Sequence, residues 1–492
     1  MIEIKKLFGQ TLVYGFSSVL ARVLNFLLVP LYTVLFIPSE YAIVSEMYAY
    51  AAFIMVLGSF GMETTFFRFT DSLSGSLRSR VFGTAFNFVL ANAIIILSLG
   101  IIFYNKIGNL IQHNQHPEYV VFFLFIISLD LITIIPFALL RQQNKAYRFA
   151  TIKTINIIIN IFFNIFFLVI CPYFLKHDVF TEFINLIYNP NTSIGYVFIS
   201  NLIASSITLI ILIPEIKTHI QKPDYKVFRK MLSYAWPILI AGLAFIINES
   251  ADKILIKYLL PKGIAMRELG IYSACYKLSI FMTLFVQSYR FAAEPFFFNQ
   301  LHKPNAKKVY ALMLQVFVLF ALAIFLFVTL YIDTIKQIIP NNLYHEGIII
   351  IPIVLLANIF LGIYYNLSVW YKVTNKTEYA ALISAFGAFS TIVLNVILIP
   401  RHGYIAAAWT TLICYCLMTI ISFYLGQKHF TISYNIRSII MYFIIALGLF
   451  YGSQFYTYKT YMNIQIDNTI LFALYLIFIY WQLNKLFKKQ YV

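Results

Sequence analysis

Charged side chains are scarce in this sequence. Asp, Glu, Lys and Arg make up 11% of 492 residues, against 61% for the apolar and aromatic types. Soluble globular chains carry about 25% charged residues, so a surface this poor in charge cannot hold the chain in water. That rules out a soluble enzyme, a disordered chain and a nucleic-acid-binding protein. Cysteine is also sparse: Cys171, Cys275, Cys414 and Cys416 all fall in apolar runs, which speaks against a disulfide framework or a zinc site. Cys414 and Cys416 stand two apart on a helix and point to different faces. The glycine loop ending in GK[ST], the HExxH pair and the GxSxG elbow are all missing, so these routes to nucleotide hydrolysis, metalloprotease and esterase chemistry are closed. There is no cleavable leader, because the short basic stretch 1–10 runs into an apolar segment too long for a signal core.

What is abundant is apolar length. The mean hydropathy is +0.81. A spanning helix needs about 20 predominantly apolar residues, and fourteen runs qualify: roughly 10–36, 42–67, 81–104, 119–140, 150–171, 194–214, 231–250, 269–292, 309–332, 348–371, 380–399, 404–425, 436–453 and 468–484. The short alternating segments of an outer-membrane barrel are absent. The reading is an all-α polytopic membrane protein of about 14 transmembrane helices.

The net charge of +17 reads first as loop charge facing anionic lipid. With the N-terminus in the cytoplasm, most Lys and Arg fall at cytoplasmic ends, including Arg68/Arg78/Arg80, Arg141/Lys145/Arg148/Lys153, Lys217/Lys222/Lys226/Arg229/Lys230 and Lys372/Lys376. Both termini are then cytoplasmic. The longest outer segment, 172–193, is too short to form a domain.

A weak internal repeat recurs at an offset of 231: Glu63-Thr-Thr-Phe-Phe returns as Glu294-Pro-Phe-Phe-Phe, and Asn144-Lys145 as Asn375-Lys376. An offset of six helices preserves orientation, so the expected halves are parallel repeats. The resulting division is a six-helix bundle over 1–214, a basic cytoplasmic linker over 215–230, a second six-helix bundle over 231–425, and two additional helices with a basic tail over 426–492.

Ionisable groups inside apolar runs mark pathways, because charge at bilayer depth is costly. Arg22, Lys277 and Arg290 are the cationic candidates for an anionic substrate. Asp130, Glu46 and Glu249 are the acidic candidates for ion coupling. Arg22 is the hardest to dismiss, since a guanidinium does not neutralise itself by losing a proton. Each has a structural alternative: Arg290 and Arg68 snorkel, Glu249 and Lys253 form an i,i+4 surface pair, and Glu63 and Glu294 pair with Arg68 and Arg290.

Several stretches resemble one family. They are Tyr14-Gly-Phe-Ser-Ser-Val-Leu-Ala-Arg22-Val-Leu-Asn-Phe-Leu-Leu-Val-Pro30, Pro38-Ser-Glu-Tyr-Ala42, Asp252-Lys-Ile-Leu-Ile256 before Leu269-Gly-Ile-Tyr-Ser-Ala-Cys-Tyr276, the loop Asn375-Lys-Thr377, and Pro400-Arg-His-Gly-Tyr-Ile-Ala-Ala-Ala408. With two bundles of six helices and no ATPase motif, the chain resembles the multidrug/oligosaccharidyl-lipid/polysaccharide exporter (MOP) superfamily, in its polysaccharide-transporter branch of O-antigen (Wzx-type) flippases. The resemblance implies a flippase of the bacterial inner membrane. Such a protein moves undecaprenyl-pyrophosphate-linked oligosaccharide between leaflets for surface polysaccharide (O-antigen, capsule or exopolysaccharide) biosynthesis, by alternating access through a cationic cavity.

It also implies no catalytic residues, no cofactor beyond an H⁺ or Na⁺ gradient, no metal and no nucleic acid. The partners would be the lipid-linked oligosaccharide, anionic membrane lipid, and a glycan polymerase with other polysaccharide-assembly proteins. The dense arginine cluster of the superfamily's lipid II flippases is missing here. Two other readings remain open. One is a cation-coupled multidrug or metabolite exporter of the same superfamily; the other is a membrane glycan polymerase or ligase, against which the short outer loops argue.

Overall fold

A computed structural model describes residues 19–20, 22–70, 75–300, 303–374, 376–459 and 464–488, and among these every regular element is a helix. The principal helices are α1 Arg22–Leu35, α2 Pro38–Thr70, α3 Gly75–Leu110, α4 Glu118–Gln142, α5 Ala146–Lys176, α6 Gly195–His219 and α7 Tyr225–Leu259. They continue with α8 Lys262–Lys277, α9 Ile280–Gln300, α10 Ala306–Leu330, α11 Ile351–Leu367, α12 Glu378–His429, α13 Ile436–Lys459 and α14 Ile464–Lys488.

Eleven helices among the described residues are long and apolar enough to cross a membrane. One of them, α12, runs for 52 residues, about 78 Å at ~1.5 Å per residue, more than twice the ~30 Å hydrocarbon core. It breaks at Gly403, whose φ of 61° lies in the left-handed region, so it supplies two spans. Helices α8 and α9 meet at a 52° bend and make one further span, and the shorter apolar α1 begins where description of the first run begins. Fourteen apolar runs in the sequence are thus accounted for. The chain is a multi-pass membrane protein.

Chemistry explains the breaks. At Gly403 a Cβ would stand 2.5 Å from Glu268 Oε2. The same carboxylate accepts a hydrogen bond from the Tyr404 amide at 3.1 Å, capping the second arm of α12. Helix α2 breaks at Phe60 and Gly61, whose φ angles are 51° and 68°. Helix α5 carries a π-helical turn at Phe166–Ile170, a widening that disturbs the regular i→i−4 ladder.

The described residues group into two compact units. One comprises residues up to Leu28 together with Ile43–Ser250; the other comprises Val29–Ala42 and the chain from Ala251 on. In the first, α4 packs against α3 and α6, and α6 against α5. In the second, α10 packs against α9, α11, α13 and α14, while α11 packs along α12. The basic segment 215–230 holds the end of α6, a connector at 220–224 and the start of α7. The passage between units therefore lies further on, inside α7.

Hydrogen bonds sort the loops by end. In the first unit, Arg80 pairs with Asp224 at 3.6 Å and Arg148 with Glu215 at 2.7 Å. In the second, Lys376 Nζ donates to His429 Nδ1 at 3.0 Å, and Arg267 pairs with Glu346 at 2.8 Å. Every such contact joins segments that the sequence assigns to the same side of the membrane.

Candidate functional site

The second unit contains a shallow, open cleft. One wall is α9, which contributes Tyr289, Arg290, Ala293 and Phe297; the other is the end of α11 and the turn after it, with Tyr365, Ser368 and Lys372. The spacing is helical on both walls: 290, 293 and 297 share one face, as do 365, 368 and 372. The Arg290 guanidinium lies 4.7 Å from the centroid of the Tyr365 ring, a cation–π geometry that orients its planar donors. Beside it, the Tyr289 hydroxyl donates to Asn366 Oδ1 at 2.6 Å, and Asn366 Nδ2 donates to the Gly362 carbonyl at 3.0 Å. The Ser368 hydroxyl likewise donates to the Tyr365 carbonyl at 2.6 Å, so the groups suited to an anion at this opening are the two cations, Arg290 and Lys372.

The first unit holds a different polar centre. Asp130, midway along α4, accepts a hydrogen bond from Ser205 Oγ of α6 at 2.7 Å. Lys153 of α5 lies within electrostatic reach of Asp130, its ammonium 4.2 Å from the centroid of the Phe137 ring. Tyr48 of α2 accepts from Asn201 Nδ2 at 2.7 Å and also lies within electrostatic reach of Asp130.

A family model for polysaccharide biosynthesis proteins matches residues 8–301. That is more than half of the chain. The chain belongs to the polysaccharide biosynthesis protein family.

Solved structures agree on the fold of this family member. The lipid II flippase MurJ in an inward closed conformation superposes with a TM-score of 0.72 at 14% identity, covering 96% of this chain and 99% of its own. An inward-facing multidrug resistance MATE family transporter of the MOP superfamily gives 0.65 at 10% identity, covering 85% and 94%. The MATE multidrug transporter DinF-BH gives 0.60 at 14% identity, covering 86% and 95%. No curated protein sequence matches. The chain thus shares its fold with these three transporters.

Set against this fold, the residues singled out in the sequence fall into different places. Arg290 lines the cleft in the second unit, as does Lys372. Lys277 is exposed at the end of α8, beside the bend and outside the cleft lining. Arg22 is exposed on the first described turn of α1, in the first unit. Asp130 sits in the polar centre. Glu46 is fully buried and bonded to His113 at 3.0 Å. Glu249 is exposed near the end of the first unit's share of α7. Lys253 pairs with its neighbour Asp252 at 3.5 Å. Glu63 pairs with Arg141 of α4 at 2.6 Å, while Arg68 is exposed. The Glu294 side chain and Asn375 lie outside the described residues.

Sequence reasoning misses three functional-looking residues. It counts Lys372 and Lys153 as cytoplasmic loop charge, and it passes over His113 in an outer loop. A signal exists for Lys153, which stands about 10 Å into α5 at ~1.5 Å per residue.

Proposed function

We propose that this protein is a flippase for lipid-linked oligosaccharide, carrying an undecaprenyl-pyrophosphate-linked glycan across the bacterial inner membrane for surface polysaccharide assembly. The observation that carries this reading is the Arg290–Tyr365–Lys372 cleft, a cationic opening within apolar helices, in a member of the polysaccharide biosynthesis family. A pyrophosphate is a polyanion. Across ~30 Å of hydrocarbon it needs fixed cations in a hydrated space. Arg suits the task because its fork of N–H donors pairs two phosphate oxygens at once, while the Tyr365 face holds the guanidinium plane in register. Each charge pair at ~4 Å contributes about 4 kcal/mol at an effective dielectric constant of ~20, which offsets part of the cost of desolvating the headgroup. Lys372 adds a second point charge, while Arg22, in the first unit, and Lys277, outside the cleft lining, are separate cationic candidates for headgroup contact. The prenyl tail stays in lipid, and movement of the two units alternates access between leaflets.

Without a nucleotide-binding loop, net transport draws on an ion gradient, H⁺ or Na⁺, or on consumption of the flipped product. Asp130 is the proposed carrier in this scheme, with Glu46 and Glu249 as alternatives. The second reading, a cation-coupled exporter of drugs or metabolites, is favoured by the same acid beside Tyr48.

Proteoliposome flipping of a fluorescent prenyl-pyrophosphate oligosaccharide tests the proposal. Wild-type protein transfers the probe between leaflets. Arg290→Ala, and Arg22→Ala to a similar extent, reduce the rate by at least about tenfold, as expected for loss of a ~1.4 kcal/mol contact, with insertion and thermal stability retained. Arg290→Lys recovers only part of the rate. Export of cationic dyes with no transfer of the glycolipid would select the second reading.

A further inference from the structure

The cleft accounts for the anionic part of the substrate and leaves a polar strip in the first unit without a role. On α5, Lys153, Asn156, Asn160 and Asn164 recur at steps of three and four, which puts them on one helix face. On α6, Asn201, Ser205 and Thr208 do the same. The two stripes meet where Asn156 Nδ2 donates to Thr208 Oγ1 at 2.9 Å. From α2, Tyr48 reaches Asn201, and its ring packs edge-on to Phe123 at 5.2 Å between centroids. Asp130 meets the strip through Ser205.

Depth and exposure together show what kind of strip this is. Asp130, Asn156, Thr208 and Tyr48 stand ten to thirteen residues into their helices, about 15–20 Å from the helix ends at ~1.5 Å per residue, so the strip lies at mid-membrane. Polar residues that merely glue helices together are enclosed by the partner helix. Asn164, Ser205 and Thr208 fit that description, at 0%, 1% and 5% exposure. Asn156, Asn160, Asn201 and Asp130 are only half-buried, and Tyr48 retains 38% exposure. Asn156 and Asn201 each donate one bond within the strip, and Asn160 Oδ1 accepts from Asn164 Nδ2 at 3.0 Å; facing hydrocarbon, an amide group left over without a partner would cost about 2–7 kcal/mol. The open side of the strip is therefore a hydrated groove.

The groove's chemistry differs from that of the cleft. Carboxamides carry a donor and an acceptor side by side, a match for the vicinal hydroxyls of a sugar. A carboxylate accepts two such hydroxyls. The Tyr48 and Phe123 rings offer apolar faces to sugar C–H groups. A phosphate fits poorly, since the strip's own cation, Lys153, is drawn towards Asp130 and seated on Phe137.

We propose that this strip is a saccharide-binding site, in which Tyr48, Asn156, Asn160 and Asn201 bind hydroxyl groups of the glycan. It rests on the lipid-linked oligosaccharide reading and deepens it: the first unit's strip reads the sugars of that substrate.

The test is binding to the purified full-length protein of two probes, farnesyl pyrophosphate and farnesyl-pyrophosphate-linked trisaccharide. Wild-type protein binds the glycosylated probe at least about tenfold more tightly, a gain of ~1.4 kcal/mol. Asn156→Leu/Asn201→Leu, near-isosteric changes, abolish that gain and leave farnesyl pyrophosphate binding within about twofold. Thermal melting verifies folding. Asn160→Leu, a single milder change, reports the same selective loss if the double variant is unstable. The strip assignment alone is overturned if wild-type binds both probes equally, if the variants keep the full gain, or if both probes weaken alike. Binding of neither probe by wild-type overturns the flippase reading and this assignment with it. Binding of a cationic dye that depends on Asn156 and Asn201, with no effect on the glycan probe, replaces the saccharide with a drug-like cation.

Discussion

Glu46, fully buried in α2, is hydrogen-bonded to His113 Nε2 at 3.0 Å, and His113 is itself only 8% exposed. A loop residue between α3 and α4 thus satisfies an acid buried in an apolar helix. The pair joins elements of one unit and is a structural latch. Glu46→Leu leaves the imidazole short of a partner and costs about 1–3 kcal/mol, seen as a lowered thermal unfolding midpoint. The double variant Glu46→Leu/His113→Leu recovers most of that loss, and Glu46→Gln retains the gradient response of transport. Loss of that response in a stable Glu46→Gln protein would move the coupling role from Asp130 to Glu46.

Asp130→Asn separates coupling from structure. The amide oxygen still accepts the Ser205 hydroxyl, so the fold survives, but the side chain no longer exchanges a proton or holds a cation. The expected outcome is a stable protein whose glycolipid transfer ignores an imposed H⁺ or Na⁺ gradient. Gradient dependence identical to wild type would show that the carboxyl is structural.

Gly403 and Gly448 make a matched pair for stability. Gly403→Ala forces a left-handed φ on an L side chain and drives its Cβ towards Glu268, costing about 1–3 kcal/mol. Gly448 lies within α13 with open space at its Cβ position, so Gly448→Ala stabilises by about 0.5–1 kcal/mol. Thermal unfolding in detergent should shift in opposite directions for the two variants.

Sidedness is testable with single cysteines in a background free of the native thiols. Asn191, in the segment 177–194, and Lys222, in the connector after α6, are both exposed. Asn191→Cys is expected to react only from the outer side and Lys222→Cys only from the cytoplasmic side. Reaction of both from the same side would overturn the alternation of spans.

Much of the fold was legible because hydrocarbon thickness imposes a minimum apolar length, and few other structures meet it. The two arms of α12 fell in separate apolar runs, 380–399 and 404–425, whereas the α8–α9 bend lies inside the single run 269–292. The site was harder to read. Arg290 stood out as a charge in an apolar run, but Lys372 looked like loop charge, because a residue at the end of a span carries no sign of which cleft it lines. Glu63 was expected to find Arg68 a few residues along the same chain, yet it pairs with Arg141 from another helix. Periodicity gives the face of each helix and is silent about which neighbour that face meets. The π turn in α5 and the Phe60–Gly61 break have no hydropathy signature, since neither changes the apolar count.

The grouping of 29–42 with the later half of the chain has a consequence for how the protein is assembled. Tyr344 donates its hydroxyl to the Phe36 carbonyl at 2.7 Å, and the Gly270 backbone lies so close to Pro38 that a Cβ there would sit 1.7 Å from its carbonyl oxygen. The first hairpin of the chain is therefore a structural part of the last unit to be synthesised, and the start of α7 belongs with the first. A polypeptide severed at 220–224 yields two pieces, each lacking a strip of its own interior and carrying a strip of the other's. Neither piece is a self-sufficient folding unit. During translation the hairpin has to wait, already in the membrane, until residues some 230 positions later arrive to cover it.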